Sequence, residues 1–129
     1  MTVLDASAAI CVLLNRPLER AGALQQRLLG EALQAPHLID LEVLQALRRF
    51  VFSGSLPADR AREALTDLAQ FRLTRYPHYP FLERVWQLRH NLTAYDATYV
   101  VLAEFLDAPL LTLDARMARA GGGVAIEVF

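Results

Sequence analysis

The chain alternates short β-type runs with segments of helical periodicity, and this alternation constrains its fold more than any other feature. The β-type runs cover positions 2–4, 72–76, 110–113 and 124–128, and each is bounded by Asp, Pro or Gly. Between them, apolar residues recur every three or four positions, as amphipathic helices require. Short strands separated by helices predict an α/β fold of three layers, with a mainly parallel central sheet flanked by helices.

The predicted helices account for most of the remaining sequence. They cover positions 7–14, 18–29, 38–52, 57–71, 81–90, 93–106 and 115–120. Turns are predicted at Ala35–Pro36 and at positions 121–123, where three glycines precede the last strand.

The helix over 38–52 is predicted to have two sides of different polarity. Its apolar stripe consists of the residues that share one face: Leu41, Leu44, Leu47 and Val51. Glu42 then lies on the opposite, polar side, near the start of the helix. The helix over 93–106 is apolar nearly all round, as expected of a helix packed against a sheet.

Length and charge limit the classes of function. A chain of 129 residues suits one domain, and we expect a single domain over 1–129. All 13 basic residues are Arg, which excludes the lysine chemistries of P-loops, Schiff bases and receiver-type phosphoacceptor domains. The net charge of −1 argues against nucleic-acid binding through bulk charge, but it permits a local arginine patch.

Nothing in the sequence points to an oxidising compartment or a membrane. Cys11 is the single cysteine, so it has no partner for an intramolecular disulfide. Only four residues precede Asp5, too few for a secretory leader, and the apolar runs fall short of the ~20 residues that a spanning helix needs. We therefore expect a cytoplasmic protein without membrane association.

Four acidic residues from four segments form the candidate site. Asp5 and Asp114 each follow a predicted strand, and parallel strands end at the same edge of a sheet. Asp96 lies in the first turn of a helix, and Glu42 lies near the start of another. Carboxylates brought together repel one another, and a hard divalent cation such as Mg²⁺ or Mn²⁺ is the natural compensation.

Each acid also has a structural explanation. Asp5 and Asp114 are suited to cap the helices that follow them, and Thr93 with Asp96 has the spacing of a capping box. A glutamate on the polar side of a helix, such as Glu42, is most often solvated. Local chemistry suggests a metal site without excluding these alternatives.

Three sequence blocks resemble PIN-domain ribonucleases of the VapC toxin type. They are VLDASA at 3–8, APHLIDLEVLQAL at 35–47 and TAYDATYVVLAEFLDAPLLTLDARMARA at 93–120. The blocks occur in the family's order and approximate spacing and span nearly the whole chain. The resemblance implies a three-layer PIN-like fold and a metal-dependent endoribonuclease toxin.

The resemblance also implies roles for individual residues. Asp5, Glu42, Asp96 and Asp114 would form the catalytic, metal-binding quartet, with Ser7 and Thr112 as polar supports. A water activated by Mg²⁺, or by Mn²⁺, would then hydrolyse RNA phosphodiester bonds. Some members of the family add a carboxylate shortly after the last Asp, whereas this chain has Arg116 there.

Partners follow from the same resemblance. It implies an RNA substrate, a neutralising antitoxin of the VapB type and a homodimer. Candidate contacts to RNA or antitoxin are the arginines near the acidic segments: Arg48, Arg49, Arg89 and Arg116. The alternative hypothesis is a non-catalytic PIN-like binding module that uses its acidic crevice to hold a protein partner or a metal.

Overall fold

A single sheet of five strands organises the protein, whose computed structural model describes residues 1–120 and 122–129. The strands are β1 (Thr2–Leu4), β2 (Leu33–Pro36), β3 (Leu73–Tyr76), β4 (Leu110–Thr112) and β5 (Ile126–Val128). Their order in space is β3-β2-β1-β4-β5, and every pairing between them is parallel. The predicted α/β class with a parallel central sheet is confirmed.

Within the described residues, seven helices connect and flank the strands. They are α1 (Ala6–Leu14), α2 (Leu18–Leu28), α3 (Leu38–Phe52), α4 (Ala58–Gln70), α5 (Leu82–Gln87), α6 (Ala94–Leu106) and α7 (Ala115–Ala120), with a 3₁₀ turn at Tyr79–Phe81. Right-handed crossovers place α1 to α4 on one face, since the chain there moves from β1 out to β3. The chain then returns past β1 to β4, so α5 to α7 cover the other face. No described helix is both long and apolar enough to cross a membrane.

The strand order defines where a ligand site is expected. The chain leaves β1 in one direction to form β2 and β3, and it later adds β4 on the other side of β1. This reversal is a topological switch point, and open parallel sheets bind ligands at the carboxyl ends of the strands there. Asp5 directly follows β1, and Asp114 lies two residues beyond β4.

The core is built around β1, β4 and α6. All described positions of β1 and β4 are buried, as is the middle of α6 from Ala97 to Ala103. The helix α6 packs on β1, β2 and β4, which explains why it is apolar nearly all round. Burial of α6 fixes the position of its first turn, which contains Asp96.

The turn predicted at Ala35–Pro36 is wrong, because these residues end the strand β2. Leu33 pairs with Thr2 of β1 and with Leu73 of β3, so β2 is an interior strand. Proline removes one donor from the ladder, but Pro36 is the last residue of the strand. The ladder resumes at once, since the His37 N–H donates to the Tyr76 carbonyl at 2.9 Å.

The apolar stripe predicted for α3 is also wrong except at Leu47, the one residue of its four that is buried. The buried residues of this helix are Ile39, Val43, Ala46 and Leu47. Leu41 is 67% exposed and Leu44 is 40% exposed. The helix has two apolar rows, and periodicity alone does not say which one faces the core. Because the buried row borders Glu42, that residue is half-buried and does not lie opposite the core.

The other boundaries agree with the prediction to within two residues, except one that differs by more. The helix predicted over 81–90 ends at Gln87 as α5. The turn predicted at 121–123 includes position 121, which lies outside the described residues, and Gly122 next to it has a left-handed φ of 63°.

Candidate active site

Asp5 is a buried carboxylate at the carboxyl end of the central strand. It is only 5% exposed and caps α1, since its Oδ1 accepts the Ala8 N–H at 2.9 Å. The same oxygen accepts the Ser7 hydroxyl at 2.7 Å, and Oδ2 accepts the Thr112 hydroxyl. Burial raises the pKa of Asp5, and these hydrogen bonds oppose that rise by stabilising the charged form.

Ser7 and Thr112 join the ends of β1 and β4. The Ser7 hydroxyl accepts the Leu113 N–H at 2.9 Å, and the Thr112 hydroxyl accepts the Asp114 N–H at 3.0 Å. Each hydroxyl therefore donates to Asp5 and accepts from the loop after β4. This arrangement fixes the distance between the segments that contain Asp5 and Asp114.

Glu42 enters the site from α3 and is held by α6. Its Oε1 accepts the Tyr99 hydroxyl at 2.6 Å, and the side chain is half-buried. Burial raises the pKa of Glu42, the Tyr99 hydrogen bond lowers it, and the charges of Asp96 and Asp5 raise it further. The local sequence favours a solvated Glu42, but in the structure this side chain is half-buried and hydrogen-bonded.

Asp96 lies in the first turn of α6, beside the residue that caps the helix. The Asp96 N–H donates to the Thr93 hydroxyl at 3.1 Å, which is the cap that the sequence spacing indicated. Burial raises the pKa of Asp96, and the charge of Asp114 adds to the rise. Thr93 and Arg116 act in the opposite direction.

Asp114 differs from the other three acids, because it forms a salt bridge with the positively charged side chain of Arg116. The Arg116 guanidinium donates from Nε to Oδ1 at 3.1 Å and from Nη2 to Oδ2 at 3.0 Å. The Arg116 backbone N–H also donates to Oδ1 at 2.9 Å, as a helix cap does. Hydrogen bonds from the Arg116 side chain hold the pKa of Asp114 below its ordinary value.

The four carboxylates form one electrostatic cluster around Asp96. The charge of Asp96 raises the pKa of both Asp5 and Glu42, and the charge of Asp114 raises that of Asp96. Carboxylates that disfavour one another's ionisation store a repulsion that a bound cation would relieve. The structure thus links each of the four acids that the sequence singled out to at least one other through its charge.

The donor set fits a hard divalent cation. Within residues 1–120 and 122–129, no three His, Cys, Asp or Glu side chains are already gathered as a metal-binding group. All four acids nevertheless offer carboxylate oxygens, the donors that Mg²⁺ and Mn²⁺ prefer. Asp5 has about four lone-pair sites, of which Ala8, Ser7 and Thr112 use three, so one stays available.

The other arginines predicted near the site do not contact the acids. The Arg48 guanidinium lies 4.8 Å from the Phe52 ring centroid, and that of Arg89 lies 4.5 Å from the Trp86 centroid. Arg49 is two helical turns beyond Glu42, roughly 10 Å along the α3 axis. Among the described residues, Arg116 alone is paired with an acid of the cluster.

Tyr99 is the residue of the site that sequence reasoning missed. Its aromatic ring fits the apolar pattern of α6, so the sequence marks it as a core residue, and it is indeed 1% exposed. The available signal is its spacing, because Tyr99 follows Asp96 by three positions and therefore shares its helix face. The hydroxyl group of a buried tyrosine usually has a hydrogen-bond partner, and here that partner is Glu42.

The fold and the site together define a parallel α/β domain with an acidic cluster at its switch point. Within that class the chain belongs to the PIN domain family, whose pattern matches residues 2–123. Ribonuclease VapC1 of Mycobacterium tuberculosis is 49% identical to it over 123 residues, covering 93% of this chain and 90% of that protein.

Two solved structures share the fold. The crystal structure of PAE2754 from Pyrobaculum aerophilum superposes with a TM-score of 0.70 at 24% identity, covering 97% of this chain and 89% of that one. The crystal structure of VapBC2 from Rickettsia felis, bound to a DNA fragment from the VapBC2 promoter, gives a TM-score of 0.65 at 13% identity. It covers 98% of this chain and 96% of the matched chain.

Proposed function

We propose that this protein is a metal-dependent endoribonuclease toxin that acts in the cytoplasm as a single PIN domain over residues 1–129. The observation that supports this most directly is the placement of Asp5, Glu42, Asp96 and Asp114 at the switch point, where the charge of Asp96 raises the pKa of Asp5 and Glu42 and the charge of Asp114 raises that of Asp96. The 49% identity to a protein named ribonuclease VapC1 supports RNA as the substrate.

Each acid has a dedicated positioning partner in this proposal. Ser7 and Thr112 orient Asp5, and Tyr99 orients Glu42. Thr93 begins the helix that presents Asp96, and Arg116 holds Asp114. Held in this way, the carboxylates lose little conformational entropy when they bind a cation.

The four acids would hold Mg²⁺ or Mn²⁺. The chemistry that such a cation supplies is polarisation of a phosphoryl oxygen and a lowered pKa for water. The protein contributes the orientation of the carboxylates and a net negative site that favours cation uptake. Hydrolysis would leave a 5′ phosphate on one RNA product and a 3′ hydroxyl on the other.

We further propose a VapB-type antitoxin as the partner and a homodimer as the assembly. The Rickettsia felis structure is named for a VapBC pair, which supports an antitoxin. Several large apolar side chains on α3 and α4 are exposed, including Leu41, Phe52 and Leu65, which supports an assembled state. Arg48, Arg49 and Arg89 remain candidate contacts to RNA or to the antitoxin.

The function is tested by RNA cleavage with protein freed of any antitoxin. Cleavage is expected with Mg²⁺ or Mn²⁺, to stop on chelation with EDTA, and to be lost in Asp96→Asn. The matched control is Asp67→Asn, which removes an exposed carboxylate of α4 and should cleave RNA like the wild type.

Calorimetric titration with Mg²⁺ and Mn²⁺, run beside the cleavage assay, separates the proposal from a non-catalytic binding module. A module would leave RNA intact with either ion, and tight partner binding without metal uptake would favour it further. Cleavage at the wild-type rate in Asp96→Asn would overturn the site assignment and leave the family membership unaffected.

A further inference from the structure

Arg116 stands where the chain departs from a purely acidic site. Its side chain is 81% exposed, whereas that of Asp114 is 27% exposed. The guanidinium nonetheless donates hydrogen bonds to both carboxylate oxygens of Asp114, as a bidentate pair. Such a pair is stronger than a single charged contact because two parallel hydrogen bonds fix the geometry.

The pair divides the four acids into two kinds. Among the described residues, Asp5 and Glu42 accept hydrogen bonds from neutral groups alone. The Asp96 side chain has no ion-pair partner among those residues, whereas Asp114 has Arg116. Asp114 faces a full positive charge on both of its oxygens. A divalent cation would have to displace Arg116 to use Asp114 as fully as it can use the other three.

The outward side of the guanidinium remains available. Arginine has five N–H donors, and Arg116 uses one from Nε and one from Nη2 on Asp114. Within the described part of the chain, its Nη1 has no protein acceptor. An exposed fork with free donors beside an acidic site is suited to a phosphate oxygen of RNA.

We propose that Arg116 takes the place of a second cation, so that the site holds one divalent ion near Asp5, Glu42 and Asp96. The guanidinium supplies the positive charge at the Asp114 edge and binds a substrate phosphate there. This inference rests on the proposed function, since it assigns the charges within the same site.

The test measures Mn²⁺ binding by electron paramagnetic resonance of the free ion, alongside RNA cleavage. Wild-type protein is expected to bind one Mn²⁺ per chain. Arg116→Asp removes the resident cation and adds a carboxylate, so it should bind two. Arg119→Asp is the matched control, because it makes the same charge change in α7 without a hydrogen bond to Asp114, and it should bind one.

A second substitution of Arg116 tests whether the two parallel hydrogen bonds of the guanidinium matter, rather than its charge alone. Arg116→Lys keeps the positive charge but loses the bidentate geometry, so it should still bind one Mn²⁺ while kcat/KM for RNA falls roughly tenfold. Because Arg116 is exposed, neither variant disturbs the core, and circular dichroism checks that both are folded.

Three results would overturn the inference. Two Mn²⁺ per wild-type chain with active cleavage would do so and leave the proposed function standing. Equal uptake by Arg116→Asp and Arg119→Asp would show that only local charge matters. Wild-type protein that binds no Mn²⁺ and cleaves no RNA would remove the proposed function as well.

Discussion

The Tyr99 hydroxyl donates to Oε1 of Glu42 at 2.6 Å and thereby ties α6 to α3 at the acidic site. Tyr99 is buried in the core, so its position is fixed by packing. Glu42 in turn depends on this contact, since the hydrogen bond is what opposes the effect of burial on its pKa. A residue fixed by core packing therefore holds the side chain of Glu42, a candidate metal ligand, in position.

Tyr99→Phe should weaken the site without removing an acid. The ring is retained, but Glu42 loses the donor that stabilises its charged form, at a cost of about 1 kcal/mol in the free energy of unfolding. The pKa of Glu42 should rise, so protons compete better with a cation and the acid limb of the cleavage profile shifts to higher pH.

The measurements are urea unfolding and cleavage rate against pH. Tyr76→Phe is a matched control, since Tyr76 also donates to a side chain, the Oε1 of Gln34, away from the four acids. An unchanged acid limb in Tyr99→Phe would show that the hydroxyl does not act on Glu42 during the reaction.

The sequence predicted most of the helices and four of the five strands because their periods are local. It failed at β2, where Leu33–Pro36 has no alternation and a proline, and where pairing with two neighbouring strands supplies the stability instead. It also failed for α3, whose two apolar rows can only be distinguished once the helix is packed.

The four acids could be singled out from their places after strands and at helix starts. Their supports could not all be found, because a hydrogen bond such as that from Tyr99 to Glu42 joins positions 57 residues apart. Arg116 and Asp114 are two residues apart, so their pairing is local. Its role in a metal site, however, depends on three acids that lie in distant segments of the sequence.

Thr112→Val should destabilise the protein more than its small change in shape suggests. Valine has a similar volume, but it removes the hydroxyl that donates to Asp5 and accepts from Asp114 N–H. Since the carboxylate of Asp5 is buried, losing this donor should cost roughly 1–3 kcal/mol. Thermal unfolding checks this, with Thr112→Ser as the control that keeps the hydroxyl. Equal melting temperatures for the two variants would contradict the role of the hydroxyl.

Thr93→Ala should destabilise the start of α6. The hydroxyl of Thr93 accepts the Asp96 N–H at 3.1 Å, and loss of such a cap costs about 1 kcal/mol. Because the first turn of α6 presents Asp96, cleavage should fall along with stability. Thr93→Ser keeps the oxygen and should restore both, as measured by urea unfolding and initial cleavage rates. Failure of serine to restore activity would mean that the cap does not position Asp96.

The metal-free protein should become more stable as the pH falls from neutrality toward the ordinary carboxyl pKa of about 4. The pKa values of Asp5, Glu42 and Asp96 are raised in the folded state, so the folded state binds protons more tightly than the unfolded state at these groups. The free energy of unfolding therefore decreases as the pH rises through the folded pKa values. Asp114 has a lowered pKa, so its stabilising effect is lost only on further acidification, below this window.

Asp96→Asn isolates this effect, because it removes the charge that acts on both Asp5 and Glu42. At about pH 7 the variant should be at least as stable as the wild type, and its stability should change less with pH. Saturating Mn²⁺ should reverse the order at about pH 7, since a ligand at a hundred times its Kd adds about 2.7 kcal/mol to the wild type. Urea unfolding measures the stability of the wild type and of Asp96→Asn, each with and without Mn²⁺. A variant less stable than the metal-free wild type at neutral pH would show that the four acids do not repel one another as the structure implies.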